Sequence, residues 1–173
     1  MKGTAHKIAG ACSALVVSSW MFRGGSSDAV TVLAIGSSVV GGALGGLLPD
    51  IDHPGSTLGR RVRILSKPIN MLFGHRGLTH TPLALFLLTY LLFVCSGWIP
   101  WEWKGYELSF CMGLITGYAS HLLLDSLTLS GIPLLYPFSA RTFRLARLRT
   151  GRDDWLVILL TLGITVTYLY YAI

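Results

Sequence analysis

Charge is scarce in this chain. Only 13% of its 173 residues are Asp, Glu, Lys or Arg, against the roughly 25% usual in soluble domains. Hydrophobic residues make up 52% and the mean hydropathy is +0.60, which excludes an ordinary water-soluble domain. Acid is scarcer than base, eight residues against fourteen. Cysteine is nearly absent. Cys12, Cys95 and Cys111 each lie inside an apolar run without ligand-like spacing, so they read as packing residues and offer no thiolate metal site. No interleaved aromatic platform or reader motif accompanies the basic residues, which excludes nucleic acid as a partner.

What is there in quantity is apolar sequence. Five segments approach the roughly 20 residues needed to cross a hydrocarbon core: Ile8–Phe22, Ala29–Leu48, Pro82–Trp98, Tyr106–Leu127 and Trp155–Ile173. The first is the shortest. Backbone groups cannot stay unpaired in lipid, so these spans are expected to be helices. The expected fold is an all-α integral membrane protein, one domain over residues 1–173 built as a bundle of about five transmembrane helices. Gly36, Gly41, Gly42, Gly45 and Gly46 crowd the second segment, where small residues let neighbouring helices approach closely.

The basic residues set the topology. Lys2 and Lys7 precede the first segment; Arg60, Arg61, Arg63, Lys67 and Arg76 lie between the second and third; Arg141, Arg144, Arg147, Arg149 and Arg152 lie between the fourth and fifth. All twelve fall on one side of a five-helix bundle, and only Arg23 and Lys104 on the other. The positive-inside rule makes that side cytoplasmic, amino terminus included, in a multi-pass protein of the bacterial inner membrane. Trp98, Trp101 and Trp103 then mark the opposite interface. Contact with anionic head groups accounts for the Arg141–Arg152 cluster and makes membrane lipids the expected partners.

Placed on that topology, all five histidines converge on the cytoplasmic leaflet. His6 precedes the first segment, Asp50, Asp52 and His53 follow the second, His75 and His80 precede the third, and His121 and Asp125 end the fourth. The four-residue spacing of His121 and Asp125 puts both on one helix face, in an otherwise apolar run. An intramembrane aspartate costs about 2.5–3.5 kcal/mol at the helix centre on insertion scales, less near the interface, so a cation or a proton is needed to offset it. That pair fits a ligand set or a hydrogen-bonded pin between helices equally well. Pro49 and Pro54 flank Asp50, Asp52 and His53 and hold them on a stiff turn, where the helix macrodipole disfavours acids that serve no other purpose. In Gly74–Pro82, Thr81 is the expected N-cap of a helix beginning at Pro82. Arg76 carries a guanidinium fork suited to phosphate or carboxylate.

Five imidazoles and three carboxylates form an N/O donor set suited to zinc first, and to manganese or iron. Eight donors exceed the three protein ligands of a usual catalytic zinc site, which allows one or two divalent ions. Metal-activated water attacking an ester or phosphoester is the chemistry such a site performs best. A metal transporter or sensor would use the same ligands, but transport sites usually lie near the bilayer midplane and accompany internal repeats, and no repeat relates the halves here. A structural protein whose histidines only tie helices together is the third possibility.

Three blocks carry a family resemblance: Leu48-Pro49-Asp50-Ile51-Asp52-His53-Pro54, Gly74-His75-Arg76-Gly77-Leu78-Thr79-His80 and Ser120-His121-Leu122-Leu123-Leu124-Asp125. With His6 and the Gly131–Pro137 run, the chain resembles the YdjM-like family of LexA-regulated, inner-membrane-associated, metal-dependent hydrolases. A looser similarity, limited to Pro49-Asp50 and His121/Asp125, is to zinc-dependent phospholipase C enzymes. The resemblance implies a membrane-embedded hydrolase, and the second likeness tilts the substrate toward a phospholipid or other lipid phosphate. On this basis His6, Asp50, His53, His75, His80, His121 and Asp125 are the expected metal ligands. Asp52 is the expected general base or a further ligand, and Arg76 the expected anion-binding residue.

Overall fold

The computed structural model describes residues 1–24 and 28–172. Over them the protein is all-helical, with no strand beyond two isolated bridges, Thr128 to Leu148 and Ile132 to Phe143. The helices are α1 (Gly3–Met21), α2 (Ala29–Gly45), α3 (Arg63–Phe73), α4 (Pro82–Ser96), α5 (Lys104–Ser126) and α6 (Asp154–Ala172), with short 3-10 turns at Pro49–Asp52, Leu78–His80 and Trp101–Trp103. Every apolar segment named above forms a helix, although Ile173, the expected end of the last, lies outside the described residues. By length and hydropathy, two stretches are sufficient to cross a membrane, Ala29–Asp52 and Asp154–Ala172, and α4 is a shorter apolar helix. The other helices fall short of the five expected spans for a physical reason. Helix α4 has only 15 residues, while α1 and α5 carry His6, Lys7, Glu107, His121 and Asp125, which lower their hydropathy.

Local sequence explains the helix ends. The Asp28 side chain accepts from Thr31 N at 2.8 Å and starts α2. Thr81 accepts from Ala84 N at 3.0 Å, and Pro82 opens α4. Gly74, with φ of 70°, ends α3 in a conformation that glycine adopts without steric cost.

Helix α5 is central and packs on α1, α2 and α4, while α6 rests on α1. The contact between α1, α2 and α5 is backbone against backbone. A Cβ on Gly117 of α5 would overlap the Gly42 carbonyl oxygen and stand 2.9 Å from its carbonyl carbon, and one on Gly10 of α1 would overlap the same carbonyl group. This is the small-residue packing expected from the glycine-rich second segment. Its consequence is positional. Gly46 reaches the His6 backbone on one side and the His121 ring on the other. The glycine contacts therefore bring three helix ends together where the titratable residues sit. The opposite extreme is α4, which buries no residue, and α6, which buries only Asp154, Val157 and Thr165.

Candidate metal centre

Where α5 ends, four side chains bring donor atoms close to one another. His80 Nε2 lies 3.3 Å from His121 Nε2. Asp50 Oδ1 lies 3.7 Å from His80 Nε2 and 3.8 Å from His121 Nε2, and Asp125 Oδ2 lies 3.6 and 3.8 Å from the same two atoms. Ligands about 2.0–2.1 Å from a tetrahedral zinc stand about 3.3–3.4 Å from one another. The His80–His121 spacing matches that value and the four carboxylate distances exceed it by a few tenths of an ångström, with His80, His121 and Asp50 forming one candidate ligand group. Both histidines are fully buried, and Asp50 and Asp125 nearly so.

The turn Pro49–Asp52 and the loop before α4 supply what orients these ligands. His121 Nδ1–H donates to the Gly46 carbonyl at 2.8 Å, and His80 Nδ1 lies 3.2 Å from Asp52 Oδ2. Anchoring Nδ1 on an oxygen fixes the tautomer and leaves the Nε2 lone pair for a metal. Asp52 is fully buried and accepts from His75 Nδ1 (2.9 Å), the Arg76 amide (3.0 Å) and the Thr79 hydroxyl. Such a saturated carboxylate can orient two histidines; no oxygen of it faces the donor atoms. Its backbone is pinned as well, by Asn70 Nδ2 donating to the Asp52 carbonyl at 2.7 Å. Burial alone would lower the His80 pKa, but the Asp50 and Asp52 carboxylates outweigh it and push it up to about 9. Positive charge is favoured at this point.

A second group, His6, His121 and Asp125, shares two of these residues. His6 is fully buried, stacks on His121 with ring centroids 3.6 Å apart, and has no hydrogen-bond partner on either ring nitrogen. Its Nε2 stands 3.3 Å from Asp125 Oδ1. A buried, unpartnered imidazole beside a carboxylate fits a cation ligand, because such a nitrogen otherwise costs free energy. The Met1 amine lies 2.7 Å from the same oxygen. Asp125 Oδ2 receives the Arg76 guanidinium at 3.0 Å, and Arg76 also donates to Thr128 Oγ1 and the Gly131 carbonyl. Arg76 adopts a positive φ of 66°, a strained backbone that its bond to Asp52 and these side-chain contacts hold in place.

The seven expected ligands therefore divide. His6, Asp50, His80, His121 and Asp125 come together in the two groups, and His53 and His75 do not enter either. Those two rings lie side by side, centroids 4.7 Å apart, at a polar cavity of about 450 Å³ whose walls include Lys2, Asp50, Ser56, Arg60 and Arg76. Asp52 stands behind the donor atoms, and Arg76 binds an internal carboxylate while lining the cavity. Sequence inspection missed Thr79, Asn70, the Gly46 carbonyl and the Met1 amine. Thr79 sits inside a motif already singled out and could have been found; a backbone carbonyl carries no sequence signal.

Comparison with known proteins finds relatives over almost the whole chain. The model of the family described as YdjM inner membrane protein matches residues 1–172. The chain is 51% identical over 102 residues to the inner membrane protein YdjM of Escherichia coli (strain K12), a match covering 57% of this chain and 48% of that protein. The protein of the same name from Shigella flexneri matches equally. The chain thus spans about half the length of these two curated relatives. It is 38% identical over 132 residues to YvsG of Bacillus subtilis (strain 168), covering 76% of this chain and 77% of YvsG. No solved structure matches.

Proposed function

The chain belongs to the YdjM inner membrane protein family, and from that premise we propose that it is a membrane-embedded, metal-dependent hydrolase of the inner membrane, cleaving a phosphoester of a lipid or other amphiphile at the cytoplasmic face. The observation that carries this is the buried group of His80, His121 and Asp50 donor atoms, with both imidazole Nδ1 positions anchored on oxygen so that each Nε2 is left to a metal. His6 adds a donor for a second ion that shares Asp125. When bound, the metal would supply Lewis acidity and an acidified water. The ion would be zinc, with manganese or iron also suited to the N/O donors.

The chain's own residues do the rest. The polar cavity beside the donor atoms carries Lys2, Arg60 and Arg76, cations suited to an anionic head group. His53 and His75 line it on the side where a substrate would enter. Asp52 keeps His75 and His80 oriented rather than acting as the base. All five long helices cross the bilayer in this arrangement, with the amino terminus cytoplasmic, and the substrate reaches the cavity from the inner leaflet.

The test is elemental analysis of protein purified in detergent without a polyhistidine tag, beside the His121→Ala/Asp125→Ala double variant, followed by assay against phospholipid and lipid-phosphate substrates. One or two ions in the wild type, lost in the variant together with turnover, are expected. Protein that takes up no zinc, manganese or iron would overturn the metal site. Metal binding without turnover of any ester would leave a sensor or transporter, which flux into liposomes would distinguish.

A further inference from the structure

Helix α3 is built inside out for a soluble surface. Its sequence, Arg63-Ile64-Leu65-Ser66-Lys67-Pro68-Ile69-Asn70-Met71-Leu72-Phe73, is strongly two-faced. At 100° per residue, Arg63, Ser66, Lys67 and Asn70 share one side and the apolar residues the other. Ser66 and Asn70 face the protein, while Arg63 and Lys67 are exposed at the edge of the polar side. Ser66 is fully buried and Asn70 donates to the Asp52 carbonyl. The apolar side faces outward, with Ile64 89%, Met71 85% and Leu72 74% exposed.

We infer that α3 lies in the plane of the bilayer surface, with Ile64, Leu65, Met71 and Leu72 sunk into the same leaflet that borders the metal centre. Three observations single out lipid as the occupant. The helix has 11 residues, about 16 Å long, too short to cross a bilayer of about 30 Å. Arg60, Arg61, Arg63 and Lys67 flank the apolar face, and no acid occurs between His53 and Trp101, which matches an anionic lipid surface. Its chain neighbours on either side, α2 and α4, are apolar helices with outward-facing side chains, surfaces of the kind that lipid covers. The turn bearing Asp52 is tied to α3 through Asn70, so seating α3 at the head-group layer sets the depth of the polar cavity as well. This inference stands whether or not the centre is catalytic.

The experiment places a single cysteine at Leu72→Cys, in a background with Cys12, Cys95 and Cys111 replaced by alanine, labels it with an environment-sensitive fluorophore and reconstitutes the protein into phosphatidylcholine/phosphatidylglycerol vesicles. Lys67→Cys, on the polar side, serves as the control. The Leu72 label is expected to emit at shorter wavelength than the Lys67 label. Lipids brominated high on the acyl chain should quench it more than lipids brominated at the tail end, as for a helix about 5–10 Å below the head groups. A circular-dichroism spectrum and thermal unfolding equal to the parent's verify that the labelled protein is folded. Water-like emission, quenched by aqueous iodide and indifferent to brominated lipid, would overturn the inference. So would a Leu72→Cys disulfide dimer with no lipid quenching, since a second copy would then cover the face.

Discussion

Placing alanine at Gly117 tests whether glycine packing sets the geometry of the metal centre. A Cβ there would lie 2.9 Å from the Gly42 carbonyl carbon and Cα. Carbon atoms prefer about 3.5–4.0 Å and the overlapped Gly42 carbonyl oxygen demands the larger shift, so α5 must move from α2 by about 1 Å or more. His121 lies one turn beyond Gly117, and its Nδ1 bond to Gly46 spans the same interface at 2.8 Å. The displacement therefore breaks that bond and widens the His121–Asp50 distance beyond its present 3.8 Å. Overpacking of this kind costs about 1–3 kcal/mol, and loss of the partner that orients a ligating histidine weakens metal binding by about 10–100-fold. The assay is zinc competition against a chromogenic chelator in detergent, with thermal unfolding beside it. Gly36→Ala is the control, because no atom lies within 4 Å of its built Cβ, and it should be neutral or stabilising by up to about 1 kcal/mol. Wild-type zinc affinity in Gly117→Ala would refute the link between packing and site.

Three further outcomes are expected. Asp52→Asn should lower zinc affinity by about 10–100-fold while leaving the circular dichroism spectrum unchanged, since the carboxylate orients His80 without pointing at the ion; unchanged affinity would remove it from that role. His53→Ala should keep its full metal content in elemental analysis, whereas His80→Ala should lose it; equal loss in both would return His53 to the ligand set. Arg76→Ala should cost roughly 3 kcal/mol of stability in metal-free protein, the low end for a broken buried pair because Arg76 is 17% exposed, and zinc should restore part of that in a thermal melt by neutralising Asp125. A loss that zinc leaves untouched would mean the tether to Thr128 and Gly131 matters more than the charge.

Much of the helical architecture was legible because hydrophobic runs and caps are local properties. Thr81 and Pro82 start α4 as their chemistry dictates. The gathering of His6, Asp50, His80, His121 and Asp125 was expected because the sequence places their four segment ends on one side of a helical bundle. The division of labour within the set was not legible. His53, Asp52 and Asp50 lie within four positions, yet one is exposed, one is buried behind the donors and one faces them. A 3-10 turn rotates successive side chains by about 120°, so adjacent residues of like chemistry part ways. Helix α3 was missed for another reason. Its apolar positions, Ile64, Leu65, Pro68, Met71 and Leu72, follow a helical period, but its 11 residues fall well short of the roughly 20 by which the apolar segments were picked out.

The strongest rival to a metal centre is a hydrogen-bonded pin, and donor counting separates the two. A pin needs a hydrogen for every close polar contact. His121 spends its Nδ1 proton on the Gly46 carbonyl, and His80 Nδ1 faces the Asp52 carboxylate, an acceptor only. The two Nε2 atoms then confront each other at 3.3 Å as lone pairs, with the Asp50 and Asp125 carboxylates beside them. One added proton on His80 satisfies one contact, in line with its raised pKa, but leaves a carboxylate at 3.6 or 3.7 Å short of a true hydrogen bond. A divalent cation accepts the His80, His121 and Asp50 lone pairs at once and draws those atoms toward ligand spacing. His6, with no hydrogen-bond partner for either ring nitrogen, weighs the same way.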